Sequence, residues 1–446
     1  MKKQITSQFW IAAFTILIIT ASSCKRNHDE PLPDSPVITK SNGKNGFDTV
    51  TIGKSVLLHP VLSNKTGLSY SWTVNGIEKG TDSTLTYTPD TRGDYQIRFK
   101  ATNAGGSATV DYKVHVFGKY ENGFFIANEG WYGHGTGSVS FYRYDTQLKE
   151  DSITTKENPG KDLNPATSTV EYATIFNDKF YLLTKAHGPL VVMDAYSMKE
   201  SGRVAAASTS DWRAFVGLDS GHALISSQTG VYPLDLNTLA VGTKLSTVSG
   251  QIGDMIKAGN YIFVLSSSQG VVILNASDYS VAKTIGGMLV AFAQTPDGSV
   301  WAAGGTSLIK INPATLTVTT ITVPFTVYGA WAAWHPGSIT ASTKDNIIFL
   351  AQNSTFSGGK AVYKYVDGSP ASLQSPFITI IAGKELYGCG IGYNAALNQL
   401  VINTVQSGFG ANFAVNDLDF YDATSGTLVK DIPFSGYYFP AVNVFH

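Results

Sequence analysis

The chain has 446 residues, room for two or three domains each with a core of its own. Only 15% of the residues are charged and the formal net charge is −1, which excludes an electrostatically held nucleic-acid partner. Glycine (44), tyrosine (22) and phenylalanine (23) are abundant, the balance of a turn-rich all-β fold.

At the amino terminus Lys2 and Lys3 precede an apolar run from Phe9 to Ile19, and Ala21-Ser22-Ser23-Cys24 follows, the order of a secretion signal. The run of about 11 residues is too short to cross a bilayer as a helix. Small residues before a cysteine resemble the lipobox of bacterial lipoproteins, which implies a signal peptide spanning 1–23 and a lipid on the sulfur of Cys24. The mature chain is then expected to be anchored to the outer membrane, at the cell surface, rather than embedded in it. Cys389 is the only other cysteine, so lipidation of Cys24 leaves no disulfide. Residues 24–36 are polar and proline-bearing and read as a tether.

Residues 37–117 carry short alternating strands, among them Tyr70-Ser71-Trp72-Thr73-Val74 and Tyr95-Gln96-Ile97-Arg98-Phe99. Trp72 in a central strand and Tyr95 after Gly93-Asp94 resemble small immunoglobulin-like or PKD-like β-sandwiches, without the inter-sheet cysteines of antibody domains. Both rings are expected to pack in the core, and the module to act as a spacer or docking surface.

Residues 119–446 repeat one β-unit. A hydrophobic strand ends in Asp or Asn at Tyr144-Asp145, Met193-Asp194, Leu234-Asp235, Leu274-Asn275, Ile311-Asn312, Val366-Asp367 and Tyr421-Asp422. The side-chain oxygen there can accept from a backbone N–H two residues on and close a turn. Copies recur at roughly 37 to 55 residues, the length of four short strands in a radial array. A second tight turn precedes each, as at Asn177-Asp178, Gly259-Asn260 and Asp345-Asn346. With strands lettered A to D from the centre outward, the tight turns are A–B and C–D and share one face. The first unit lacks an A strand, and Pro440-Ala441-Val442-Asn443-Val444-Phe445 at the other end has no partner. Pairing the two closes a seven-bladed β-propeller and removes its open edges.

The B–C and D–A connections then share the opposite face, and they are longer and richer in aromatics. Loops on a rigid scaffold are where binding residues concentrate. Candidate ligand-binding residues are Asn128, Glu129, Trp131, Tyr132 and His134 in the first B–C loop, His187, Gln228, Gln269, Phe409 and Phe413 in later ones, and Trp212, Arg213, Tyr328, Trp331, Tyr387 and Tyr438 in D–A segments. Aromatic surface buries apolar area at roughly 25 cal/mol per Å², while amides and hydroxyls satisfy polar groups. That chemistry suits a large neutral ligand with flat apolar and amide-like parts.

Motifs for a zinc protease, a paired-cysteine site or a nucleophile elbow do not occur. His134 and His187 are isolated and do not make a metal site. Glu129, Glu171, Asp211, Asp254, Glu385 and Asp417 lie near the loop-bearing face, but Asp before an inner strand more often closes a loop. No enzyme activity, catalytic cofactor or protein metal site is expected.

Asn128-Glu129-Gly130 after Phe125-Ile126-Ala127, followed by an aromatic, glycine-rich loop and Ser138-Val139-Ser140-Phe141-Tyr142, resembles the opening blade of the seven-bladed BtuG-type surface lipoproteins of gut anaerobes. The likeness covers about 119–446. It implies capture of cobalamin or related corrinoids at the outer surface, and a BtuB-like TonB-dependent outer-membrane transporter as partner. The amino-terminal sandwich departs from a propeller-only arrangement. A carbohydrate-binding lipoprotein of a glycan-uptake system is the alternative, favoured by the aromatic loops, and a hydrolase or lyase using the face carboxylates is a third reading.

Overall fold

The structure is a computed structural model that describes residues 31–43, 47–329, 339–353, 358–408 and 410–446. The signal peptide, Cys24, Trp331 and Phe409 lie outside the described residues. The chain divides into two compact units.

The amino-terminal unit is a β-sandwich whose larger sheet orders its strands Phe47–Thr51, Gly106–Phe117, Gly93–Asn103, Ser69–Val74 and Ile77–Gly80. Along Gly93–Asn103, Ile97, Phe99 and Ala101 are buried and the residues between them are exposed, the period of two of a half-buried strand. Trp72 is fully buried against Phe99 and Tyr112 at centroid distances of 4.6 and 5.9 Å, and its indole N–H donates to the Asp82 carbonyl at 2.9 Å. Tyr95 does not join this core; it is half-buried beside Tyr87, and Tyr112 is the buried tyrosine. Tyr95 shares the inward phase of Ile97, but it lies near the start of the strand, where Tyr87 covers it only in part.

The second unit is a propeller of seven blades among the described residues. From the centre outward, blade 2 runs Thr169–Phe176, Lys179–Lys185, Leu190–Asp194, Glu200–Val204, and blade 4 runs Ile252–Ala258, Tyr261–Ser266, Gly270–Asn275, Val281–Ile285. Blade 3 begins at Trp212–Gly217 and has three full strands, with a single bridge from Leu234 to Val241 in place of the fourth. In blade 5, Val300–Ile311 turns back at Gly305, where φ is +57°; Lys310 Nζ accordingly lies 5.5 Å over the Trp301 ring. Blade 6 starts at Ile339–Ala341, and blade 7 comprises Lys384–Asn394, Gln399–Gln406, Val415–Asp422 and Leu428–Ser435. The repeated turn works as its residue type requires: Oδ1 of Asp194, Asp235, Asn312 and Asp422 accepts from the backbone N–H two and three residues on.

Blade 1 is assembled from both ends of the unit. Pro440–Phe445 forms its inner strand, antiparallel to Gly123–Asn128, pairing Phe124 with Phe445 and Ala127 with Val442. The same strand touches the inner strand of blade 7 in parallel, Cys389 opposite Val442.

Strands inside the ring are apolar on both faces because each face packs on a different neighbour. In Gly123–Asn128, Phe125 and Ala127 pack with Phe180 and Leu182 of blade 2, while Phe124 and Ile126 pack with Val401 and Phe420 of blade 7. Blade 2 repeats this, with Phe180 and Leu182 turned to blade 1 and Tyr181 and Leu183 to Phe215 and Ile225 of blade 3. Further apolar clusters join the remaining neighbours around the circle, through Leu224 and Val264, Phe263 and Val300, Trp301 and Ile348, and Phe349 and Leu400.

Removing residues 440–446 strips the inner strand from blade 1 and opens the faces of Phe124 and Ile126. The truncated protein is expected to aggregate on size-exclusion chromatography; a monomer with an unchanged melting temperature would show that closure is dispensable.

Blade 7 also buries carboxylates. Asp419 sits opposite Asp431 in register, and Lys384 Nζ reaches Asp417 Oδ1 at 2.8 Å and Asp431 Oδ2 at 3.5 Å. Burial, then repulsion from Asp431, pushes the Asp419 carboxyl up to about 7. Between the ordinary value of 3.8 and about 7 the folded state therefore holds a proton the unfolded chain releases, and stability falls as pH rises through that window. Asp419→Asn is expected to raise the melting temperature at pH 8 and to change it much less at pH 4, as followed by circular dichroism.

Candidate functional site

The first B–C loop leaves Gly123–Asn128 at Glu129 and returns at Gly137. Gly130 has φ of +83°, and a Cβ there would meet Thr136 and Gly137 backbone at 2.7 Å, so only glycine lets the loop close this tightly. The backbone N–H groups of Glu129 and Gly130 donate to the carbonyls of Phe439 at 2.8 Å and Tyr438 at 2.9 Å, which ties the loop to the segment entering the closing strand. The N–H groups of His134 and Gly135 then donate back to the Trp131 carbonyl at 2.9 and 3.0 Å. That turn lays the imidazole on the indole, 3.8 Å between centroids and 24° between planes. Tyr437 stacks on Trp131 as well, at 4.2 Å and 28°. Two near-parallel rings this close to one indole have no room on the same face, so Trp131 is sandwiched and its edge is what remains exposed.

This stack borders an open cleft of about 400 Å³ lined also by Thr136, Ser138, Ser152, Gly436 and Tyr438. Behind Tyr438, Lys149 Nζ lies 4.7 Å from its ring and 4.0 Å from that of Phe434, and is paired with Asp151. Burial holds the Lys149 ammonium below its ordinary pKa, against the pull of Asp151. Ser140 Oγ donates to Asp151 Oδ1 at 2.7 Å, and Asn128 Nδ2 donates to Ser140 Oγ at 2.9 Å.

Beneath the loop, charged groups from three blades meet a tyrosine hydroxyl from a fourth. Lys185 Nζ is 2.6 Å from Glu129 Oε1 and 2.6 Å from Glu171 Oε2; Arg213 Nη1 is 3.3 Å from Glu171 Oε1, and Arg213 Nη2 is 3.1 Å from Asp211 Oδ1. The Tyr387 hydroxyl of blade 7 donates to Glu129 Oε2 at 2.5 Å. Three carboxylates thus share two cations. Burial raises the pKa of Glu129, opposed by Lys185 and reinforced by Glu171. Burial works to lower that of Lys185, but the two carboxylates outweigh it and the ammonium is held charged.

Several expected contacts therefore turn inward. Glu129, Arg213 and Tyr387 are buried in this network, and Asn128 is buried under Ser138 and Ser140. Trp212 is 7% exposed and packs between blades 2 and 3, edge-on to Tyr232. None of these five presents its side chain to the cleft: Trp212, Arg213 and Tyr387 lie on inner strands covered by a neighbouring blade, and Asn128 and Glu129, at the end of Gly123–Asn128, hydrogen-bond inward. Trp131, His134 and Tyr438 are brought together there. Tyr132, 61% exposed, stands beside them in the same loop. His187 and Gln228 are exposed at the rim of blades 2 and 3, and Tyr328 is exposed beyond the outer strand of blade 5, apart from the cleft lining. Gln269 accepts from the Ser249 N–H at 2.9 Å, and half-buried Phe413 packs on Phe439. The sequence places Tyr437 and Lys185 on the loop-bearing face without marking them as contacts, and gives no sign of Lys149 or Asp151. Tyr437 carried a signal in the Tyr437-Tyr438-Phe439 run, whereas an isolated lysine at a strand end carries none.

A family model described as "Domain of unknown function (DUF5074)" matches residues 122–446, and one described as "PKD-like domain" matches residues 35–103. No curated protein matches the chain. Among solved structures, a quinonprotein alcohol dehydrogenase-like protein from Bacteroides thetaiotaomicron is similar at TM-score 0.60 and 19% identity, over 92% of this chain and 99% of that one, a likeness of fold alone. A dihydro-heme d1 dehydrogenase, NirN, matches at TM-score 0.46 and 11% identity over 78% and 72% of the two chains. PorZ, a surface component of the type-IX secretion system of Porphyromonas gingivalis, matches at 0.41 and 12% over 77% and 44%. Both fall below a TM-score of 0.5, too distant to bear on this chain. No helix among the described residues is long and apolar enough to cross a membrane.

Lys185→Met leaves Glu129 and Glu171 buried without their shared cation. The loss is expected at about 3–5 kcal/mol in denaturant-induced unfolding, and a loss below about 1 kcal/mol would mean that water reaches the cluster.

Proposed function

We propose that this chain, which belongs to the DUF5074 family, is a lipid-anchored surface protein that captures a corrinoid such as cobalamin on the loop-bearing face of its propeller and passes it to a BtuB-like TonB-dependent outer-membrane transporter. The observation that carries the ligand reading is the open cleft beside the His134, Trp131 and Tyr437 stack, walled by Thr136, Ser138, Ser152 and Tyr438. A corrinoid offers a broad ring to lie across the aromatic edges and amide arms to bond the surrounding hydroxyls. Its metal arrives already ligated, so the protein need supply none. Glu129, Glu171 and Asp211 bond Lys185 and Arg213 rather than the cleft, which favours capture over carboxylate catalysis. The anchor and the transporter rest on the Ala21-Ser22-Ser23-Cys24 sequence and on the likeness of the opening blade to BtuG-type proteins.

The glycan reading keeps one observation of its own: the exposed ring of Tyr132 beside the cleft is a surface on which a pyranose can stack.

Cyanocobalamin mixed with the purified protein and passed through a desalting column is expected to co-elute at one equivalent, read from its visible absorbance. Trp131→Ala is expected to weaken calorimetric affinity at least tenfold. Absence of binding in the micromolar range would rule out the corrinoid, and a positive glycan array would then favour the second reading.

A further inference from the structure

The cleft straddles the seam of the ring. Trp131 and His134 come from the loop after Gly123–Asn128, near the start of the propeller, and Gly436, Tyr437 and Tyr438 from the segment leading into Pro440–Phe445, at its end. Neither half has a platform without the other, since the Trp131 sandwich needs Tyr437.

Glu129 stands at the centre of that seam. Its N–H donates to Phe439, its carbonyl accepts from the Val170 N–H at 3.0 Å, and its carboxylate takes Lys185 of blade 2 on one oxygen and Tyr387 of blade 7 on the other. The side chain is buried beneath the cleft and absent from its lining. It thus joins the last blade, the closing segment and the first two blades through one residue, two positions before the sandwiched indole. A buried ionic hub of this kind adds little net stability over an apolar core, but it specifies one geometry, because any other leaves a charge unpaired.

We propose that Glu129 is a positioning residue, a latch that registers Trp131 against Tyr437 by locking the seam, so that closure of the ring by Pro440–Phe445 and capture of ligand at the cleft are coupled. By linkage, a ligand that bridges both halves protects the seam, and whatever loosens the seam weakens the ligand. The coupling to capture rests on the ligand reading above; the latch itself does not.

The test compares wild type with Glu129→Gln, which keeps the volume and removes the charge, and Tyr387→Phe, which removes one donor and leaves the charges intact. In ligand-free protein, hydrogen exchange over 129–130 and 440–445 is expected to speed up at least tenfold in Glu129→Gln and by a smaller factor in Tyr387→Phe, with the strands of blades 4 and 5 unchanged. Trp131 emission, obtained by subtracting the spectrum of the matching Trp131→Phe protein, is expected to shift to longer wavelength as the indole leaves its stack. Cyanocobalamin affinity is expected to drop at least tenfold in Glu129→Gln, and cyanocobalamin is expected to slow exchange at the wild-type seam. Should exchange rise evenly across all blades, or the seam and the Trp131 emission stay as in wild type, Glu129 only fills space and the latch is wrong. If Glu129→Gln fails to fold, Tyr387→Phe decides by the same readouts. A wild type that ignores cyanocobalamin removes the corrinoid, while exchange and emission still judge the latch.

Discussion

Every blade depends on having a neighbour on each side. A strand such as Phe180-Tyr181-Leu182-Leu183 sends alternate side chains to opposite faces, and no single sheet can cover both. The ring meets this demand only when complete, so the pairing of Pro440–Phe445 with Gly123–Asn128 is worth more than its hydrogen bonds. It converts two half-covered sheets into an interior in which Phe124, Phe125, Ile126 and Ala127 are fully buried. Dispersion and hydrophobic burial supply the energy, and the closing strand decides whether it is collected.

The loop-bearing face shows a different economy. Its inner rim buries Glu129, Glu171, Lys185, Arg213 and Tyr387 in one network, although ions desolvated together contribute little net stability. What such a cluster does supply is register. Four blades that pack through interchangeable apolar side chains tolerate small slips, but paired charges at 2.6 Å do not. The aromatic cleft therefore stands beside a geometrically constrained part of the ring.

The cleft is also a lesson in how aromatic residues divide their work. Trp212 and Trp131 both fall in segments the sequence assigns to the same face, yet one is covered by Tyr232 and the strands of blade 2, and the other stands in a glycine-flanked loop 39% exposed. Their surroundings separate them: Trp212 opens an inner strand and inherits the burial of that strand, whereas Trp131 follows Gly130, whose positive φ lifts the chain off the blade. Even then the indole faces are taken by His134 and Tyr437, so what the loop offers is an edge and a cavity wall rather than an open plate.

Much of this architecture was legible before any coordinates. The turn residues Asp194, Asp235, Asn312 and Asp422 mark blades through local hydrogen bonds two or three residues long, and alternation marks strands through a period of two. The orphan strand Pro440–Phe445 and the missing inner strand of the first blade announced ring closure by simple subtraction, and the unequal loop lengths separated the two faces. Tertiary structure alone decided which residues of the loop-bearing face turn outward. Glu129 and Tyr387, 258 positions apart, share a hydrogen bond that no local pattern encodes. Turns and strand periodicity are fixed by neighbours along the chain, whereas exposure, ring stacking and ion pairing at the seam depend on blades brought together only when the circle closes.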